Sequence, residues 1–100
     1  MYTKKVIINW QKDSYLSCGV DDRDSDQATA LAELDAKTTA MVAEGKMREN
    51  CVVTEIVSSP SISTIRYVTD QAAADEWLAF NDTFATTYGF VKINSVIINL

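Results

Sequence analysis

The sequence predicts an α+β domain: four antiparallel strands in one sheet, with two helices. Three observations lead there. Strand-like and helix-periodic segments alternate in the order β-α-β-β-α-β. Each helical segment carries a single apolar stripe, so each buries one side only. The run Val-Ile-Ile-Asn occurs twice, at 6–9 and 96–99. It sets two isoleucines side by side where a strand with one wet face would alternate apolar and polar residues.

The first strand runs from Thr3 to about Lys12, rich in β-branched residues and closing on polar ones. A loop with Ser14, Ser17 and Gly19 follows, then the acidic cluster Asp21, Asp22, Asp24 and Asp26. That cluster reads as the start of a helix. A side-chain oxygen of Asp24 or Ser25 can accept from the free backbone N–H groups of a first turn. Asp26 favours the positive end of the helix dipole, and Gln27 stands three residues after Asp24, as in a capping box. Leu31, Leu34, Met41 and Val42 form the stripe of this helix, filled in by Ala28 and Thr38, and Gly45 is its expected stop. As a calcium loop the acidic run lacks the spaced ligands, central glycine and terminal glutamate.

A hairpin comes next, with strands NCVVTEIV and SISTIRYVT around the turn SSPS. Pro60 is the single proline and belongs in that turn, where its fixed φ helps and no ladder donor is lost. In the second of these strands Ile65 and Tyr67 share one face and Thr64, Arg66 and Val68 the other. Thr69 or Asp70 caps the second helix, whose stripe is Ala73, Trp77, Phe80, Phe84 and Tyr88. Gly89 ends it, and FVKINSVIINL forms the last strand.

Composition narrows the chemistry. One hundred residues make one domain, residues 1–100, and 47% apolar residues suffice for a core. The net charge is −5 and the nine Lys and Arg are scattered, which argues against nucleic acid and anionic membrane as partners. There is no histidine, hence no conventional catalytic triad and no histidine ligand for haem or metal. Cys18 and Cys51 are too few and too far apart for a thiolate metal or iron–sulfur site and read as reduced thiols, with a single disulfide as the alternative. No metal or cofactor is expected. No stretch approaches the roughly 20 apolar residues of a membrane span. The short run after Lys4-Lys5 does not make a signal peptide, so a cytoplasmic location is the expectation.

The compact solution for β-α-β-β-α-β is the ferredoxin-like sandwich, two split βαβ units in a sheet ordered 4-1-3-2. Right-handed crossovers put both helices on one face. The apolar residues that remain on the other face then need cover, and a second copy of the chain is the expected source. Ile7, Val53, Ile93 and Ile97 are the residues expected at that interface.

In length, element order and doubly apolar strands the sequence resembles the dimeric α+β barrel proteins. These small domains pack sheet against sheet and include the antibiotic-biosynthesis-type monooxygenases. The resemblance implies a homodimer. Through the cofactor-free oxygenases of the group, it also implies roles for an Asn on the first strand and an interior Trp, which Asn9 and Trp77 or Trp10 match loosely. The haem-degrading members use a His that this chain lacks. Other occupants of the fold fit poorly: SISTIRYV has no glycine and one aromatic, against the RNA-recognition pattern.

Six residues are candidates for ligand contact, each with a plainer role beside it. Trp77 and Tyr88 either face the core or line a pocket. Trp10 is a sheet residue, or its indole N–H orients a polar ligand. Asn9, like Asn94 and Asn99, sits at a rim or in a pocket that meets its hydrogen bonds. Arg66 is a surface charge on the hairpin, or holds a carboxylate together with Tyr67. Glu55 is a conceivable base that nothing singles out. Two functions remain open. One is a homodimeric binding or scaffold domain with a small apolar ligand; the other is a cofactor-independent monooxygenase or isomerase.

Overall fold

The chain runs through β1 (Lys4–Gln11), α1 (Ser25–Ala43), β2 (Val52–Glu55), β3 (Ser61–Val68), α2 (Gln71–Tyr88) and β4 (Lys92–Asn99). A computed structural model describes residues 1–11, 25–49, 52–55 and 59–100, with the backbone alone at 25–27 and 52–55. Asp24 as a helix cap, the cluster at Asp21 and Asp22, both cysteines and the side chains of Val53 and Glu55 lie outside the described residues. The sheet order is β2-β3-β1-β4, with every neighbouring pair antiparallel. The two Val-Ile-Ile-Asn strands are neighbours: Val6 pairs with Ile97 and Ile7 with Val96.

The period of a strand decides which residues the helices cover. On β1, Val6, Ile8 and Trp10 are wholly buried, and on β3 so are Ile62 and Val68. Register brings Trp10 opposite Ile62, Ile8 opposite Thr64 and Val6 opposite Arg66, so all six share one face. Ala30 and Met41 of α1 and Ala73, Ala74, Trp77 and Phe84 of α2 complete the core on that side. Each large aliphatic side chain buried there contributes roughly 1.5–3 kcal/mol. The opposite face is open among the described residues. It carries Lys5, Ile7 and Asn9 of β1, Ser63, Ile65 and Tyr67 of β3, and Asn94, Val96 and Ile98 of β4, half-buried or exposed.

This division corrects the expected grouping of Ile7, Ile93 and Ile97. Ile97 stands opposite Val6 and packs against the core, on the helix side. Ile7 is on the open side with Val96. Ile93 belongs to neither row. Pairing passes from Asn9–Asn94 to Trp10–Lys92, which leaves Ile93 as the extra residue of a bulge, 53% exposed.

Local chemistry fixes the helix ends. The Asp70 carboxylate accepts from the Ala73 backbone N–H at 2.8 Å, capping α2. Gly89 closes the same helix with φ 76°, a left-handed conformation that suits glycine. After α1, Gly45 adopts φ 74°, and the N–H groups of Gly45 and Lys46 donate back to the carbonyls of Val42 and Met41. Lys37 of α1 and Lys46 after it both reach Glu76 of α2, at 2.7 and 2.9 Å, tying the helices together. Hydrogen bonds from Lys37 and then Lys46 hold the Glu76 carboxyl below the usual carboxylate range, and bonds to Glu44 and Glu76 raise the Lys46 ammonium above its ordinary value. Among the described residues no helix is long and apolar enough to cross a membrane.

Candidate functional site

The sheet separates the six candidate ligand residues instead of gathering them. Asn9 and Tyr67 stand on the open face, while Trp10, Arg66 and Trp77 are on the helix side. Arg66 and Tyr67 are adjacent in β3 and so point to opposite faces; they do not act on one carboxylate together. Trp10 is a core residue with no exposed surface, and its indole N–H donates to the Thr64 hydroxyl at 3.3 Å. Tyr88 lies three turns beyond Trp77 on α2, about 16 Å along the axis, and packs with Phe84 and Phe90. Asn9 is held within the sheet. Its amide donates to Asn94 at 2.6 Å and its carbonyl accepts from the Ser63 hydroxyl.

Arg66 departs furthest from expectation. It is not a surface charge on the hairpin but 8% exposed, beneath the helices. One terminal nitrogen donates to the Glu49 backbone carbonyl at 3.3 Å and the other to the Thr38 hydroxyl at 3.4 Å. Both are long for an N–H···O bond. Its Nε has no partner, and no carboxylate of the described residues forms an ion pair with it. The guanidinium lies over the Trp77 ring, 5.5 Å from the centroid. Trp77 is itself buried and stacked on Phe80, and its indole N–H is also unpaired.

A cleft of about 260 Å³ is lined by Thr38, Thr39, Val42 and Ala43 of α1 and by Glu49; Arg66 does not line it but donates to two of these residues. Thr38 and Glu49 are thus both cleft wall and Arg66 acceptors. Sequence reasoning treated Thr38 as stripe filler and passed over Glu49. A signal for Arg66 did exist: strand alternation groups it with Ile62 and Val68, both of which are core.

The open face is ordered in rows across the strands. Ile65, Ile7 and Val96 stand side by side in one row, and Tyr67, Lys5 and Ile98 in the next. Ser63, Asn9 and Asn94 form a polar row on the other flank, hydrogen-bonded to one another. The Tyr67 ring is covered by the Arg48 guanidinium, 4.0 Å from its centroid. Val96 and Ile98 are 46% and 40% exposed, a large fraction for residues of this type in mid-strand. The chain matches none of the known protein-family models, and no curated protein is similar to it in sequence.

Proposed function

We propose that the chain is a ferredoxin-like domain of the dimeric α+β barrel kind, a homodimer that packs sheet against sheet and serves as a small-ligand binding domain. The observation that carries the pairing is the apolar row Ile65, Ile7, Val96 with Ile98 beside it, on the face that neither α1 nor α2 covers. Most soluble oligomers are closed and two-fold, and a row of this kind is self-complementary about a two-fold axis. The polar row supports the same reading. Ser63, Asn9 and Asn94 satisfy one another across the strands, which lowers the cost of covering them. At about 3.3 Å per residue and 4.8 Å between strands, the sheet offers a planar footprint of roughly 450 Å² per protomer. Side-chain relief brings the pair near the lower bound of specific interfaces, about 1,200 Å² in total.

The oxygenase reading needs Asn9 and an interior tryptophan around one cavity, and here they are on opposite sides of the sheet. Binding is therefore the better-supported function. Sedimentation at micromolar concentration tests the pairing: the wild type should run at twice 11.1 kDa. Ile7→Asp and Val96→Asp should give folded monomers, because each introduces an unpaired charge at the interface. Ile97→Asp, on the helix side, should unfold the chain instead. A wild type that sediments as a folded monomer would refute the pairing.

A further inference from the structure

We propose that Arg66 is the receptor for the carboxylate of a small apolar organic acid, which enters through the cleft between α1 and Glu49. The proposal rests on reading the chain as a ligand-binding domain and names the chemistry of its ligand. A guanidinium is the side chain least suited to burial without an anion, since it stays charged and presents five N–H donors. Arg66 is buried, its Nε is unpaired and its other two contacts are long and uncharged. The buried side-chain polar atoms left without partners among the described residues are Nε of Arg48, Nε of Arg66 and Nε1 of Trp77. All three are donors. Arg48 covers Tyr67 on the other side of the sheet, but the Arg66 and Trp77 donors share the helix side, and what that side lacks is an acceptor.

The cleft supplies a route for one. Its wall includes Thr38 and Glu49, whose oxygens are the present acceptors of the Arg66 terminal nitrogens. A carboxylate passing between them can take a short parallel pair from Nε and one terminal nitrogen, which satisfies the unpaired Nε and replaces one long bond. The guanidinium lies over the Trp77 ring, 5.5 Å from its centroid, which offers a cation–π contact and leaves Nε without a hydrogen-bond partner. Val42 and Ala43 give the cleft apolar surface, and its volume is about 260 Å³. A cavity of about 150 Å³ holds benzene, so the space admits one ring or a short alkyl chain bearing the acid. Glu49 is exposed and part of the cleft wall, and its negative charge disfavours a second one on the ligand, which selects monocarboxylates over dianions.

The test is titration of the intact protein with benzoate, phenylacetate and hexanoate, against benzamide as the uncharged counterpart. Binding is followed by tryptophan fluorescence and calorimetry. At least one acid should bind saturably and at least about tenfold tighter than the amide, as a charge-assisted bidentate pair requires. Arg66→Met should abolish that preference in a chain whose circular dichroism is unchanged. Arg66→Lys, which keeps the charge but not the fork, should weaken it, and Glu49→Gln should tighten it. No saturable binding of any acid, equal affinity for acid and amide, or binding that survives Arg66→Met would each overturn the proposal. Sedimentation of the same samples reads the pairing separately, so loss of the dimer and loss of the site are distinguishable.

Discussion

Replacing Arg66 by methionine should leave the fold as stable as the wild type or more so. Burying an ion costs several kcal/mol after relaxation, and the unpaired Nε adds about 1–3 kcal/mol. Against this stand two hydrogen bonds at 3.3 and 3.4 Å to uncharged acceptors, worth about 1.5 kcal/mol each, the low end for a charged donor because both are long. The guanidinium over Trp77 adds no more than about 2 kcal/mol. The charge is therefore at best neutral for folding. Methionine keeps much of the stem, and its sulfur can contact the Trp77 ring for roughly 0.3–1.5 kcal/mol. Neither acceptor is stranded: the Thr38 hydroxyl still donates to the Leu34 carbonyl at 2.9 Å, and Glu49 is exposed to water. The expected change is a gain of about 0–2 kcal/mol, each kcal/mol reading as a rise of about 4–8 °C in Tm. Arg66→Ala should instead lose about 2–4 kcal/mol, because it also removes the stem and leaves a cavity. Urea denaturation at one fixed protein concentration measures both, with an unchanged m-value as the condition for comparison. A loss of more than about 1 kcal/mol in Arg66→Met would refute the reasoning, since it would mean that the guanidinium stabilises the fold.

Two further outcomes follow from the helices. Asp70→Ala removes the acceptor of the Ala73 N–H and should cost about 1 kcal/mol, while Asp70→Asn keeps the cap and should change Tm little. Glu76 titrates below the usual carboxylate range when folded, so the stability it contributes is present above its ordinary value and lost as pH falls through the depressed one. Thermal melts between about pH 6 and pH 3 should fall more steeply for the wild type than for Glu76→Gln; parallel curves would show that the Lys37 and Lys46 contacts do not persist in solution.

Much of the scaffold was legible because local chemistry and period point the same way. In α2 the Asp70 cap, the Trp77–Phe84 stripe and Gly89 all act where their residue types suggest. On β3, simple alternation divides the residues correctly. The site was less legible for two physical reasons. Periodicity says which residues share a face but not which face is covered. Arg66 therefore passed for a surface charge, although the buried Ile62 and Val68 share its side. For the same reason Ile97, correctly set opposite Val96 and Ile98, was given to the side of Ile7, and a bulge, which leaves no reliable mark in the sequence, takes Ile93 out of its row. Thr38 and Glu49 lie close to Arg66 only through tertiary packing, and no spacing rule foretells it.

The bulge at Ile93 also bears on how this chain can vary. In a regular strand, adding or removing one residue turns every later side chain to the wrong side of the sheet. Here β4 already carries one residue more than its partner, between Lys92, which meets Asp82 of α2, and Asn94, which meets Asn9. Deleting Ile93 would join two segments that are each in phase with β1. Lys92 would keep its place over α2, and Val96 and Ile97 would keep their opposite sides. An exposed extra residue at an edge is thus a point where length can drift by one without turning the strand inside out. A one-residue deletion should be tolerated there, whereas one at Ser95 in mid-strand should not.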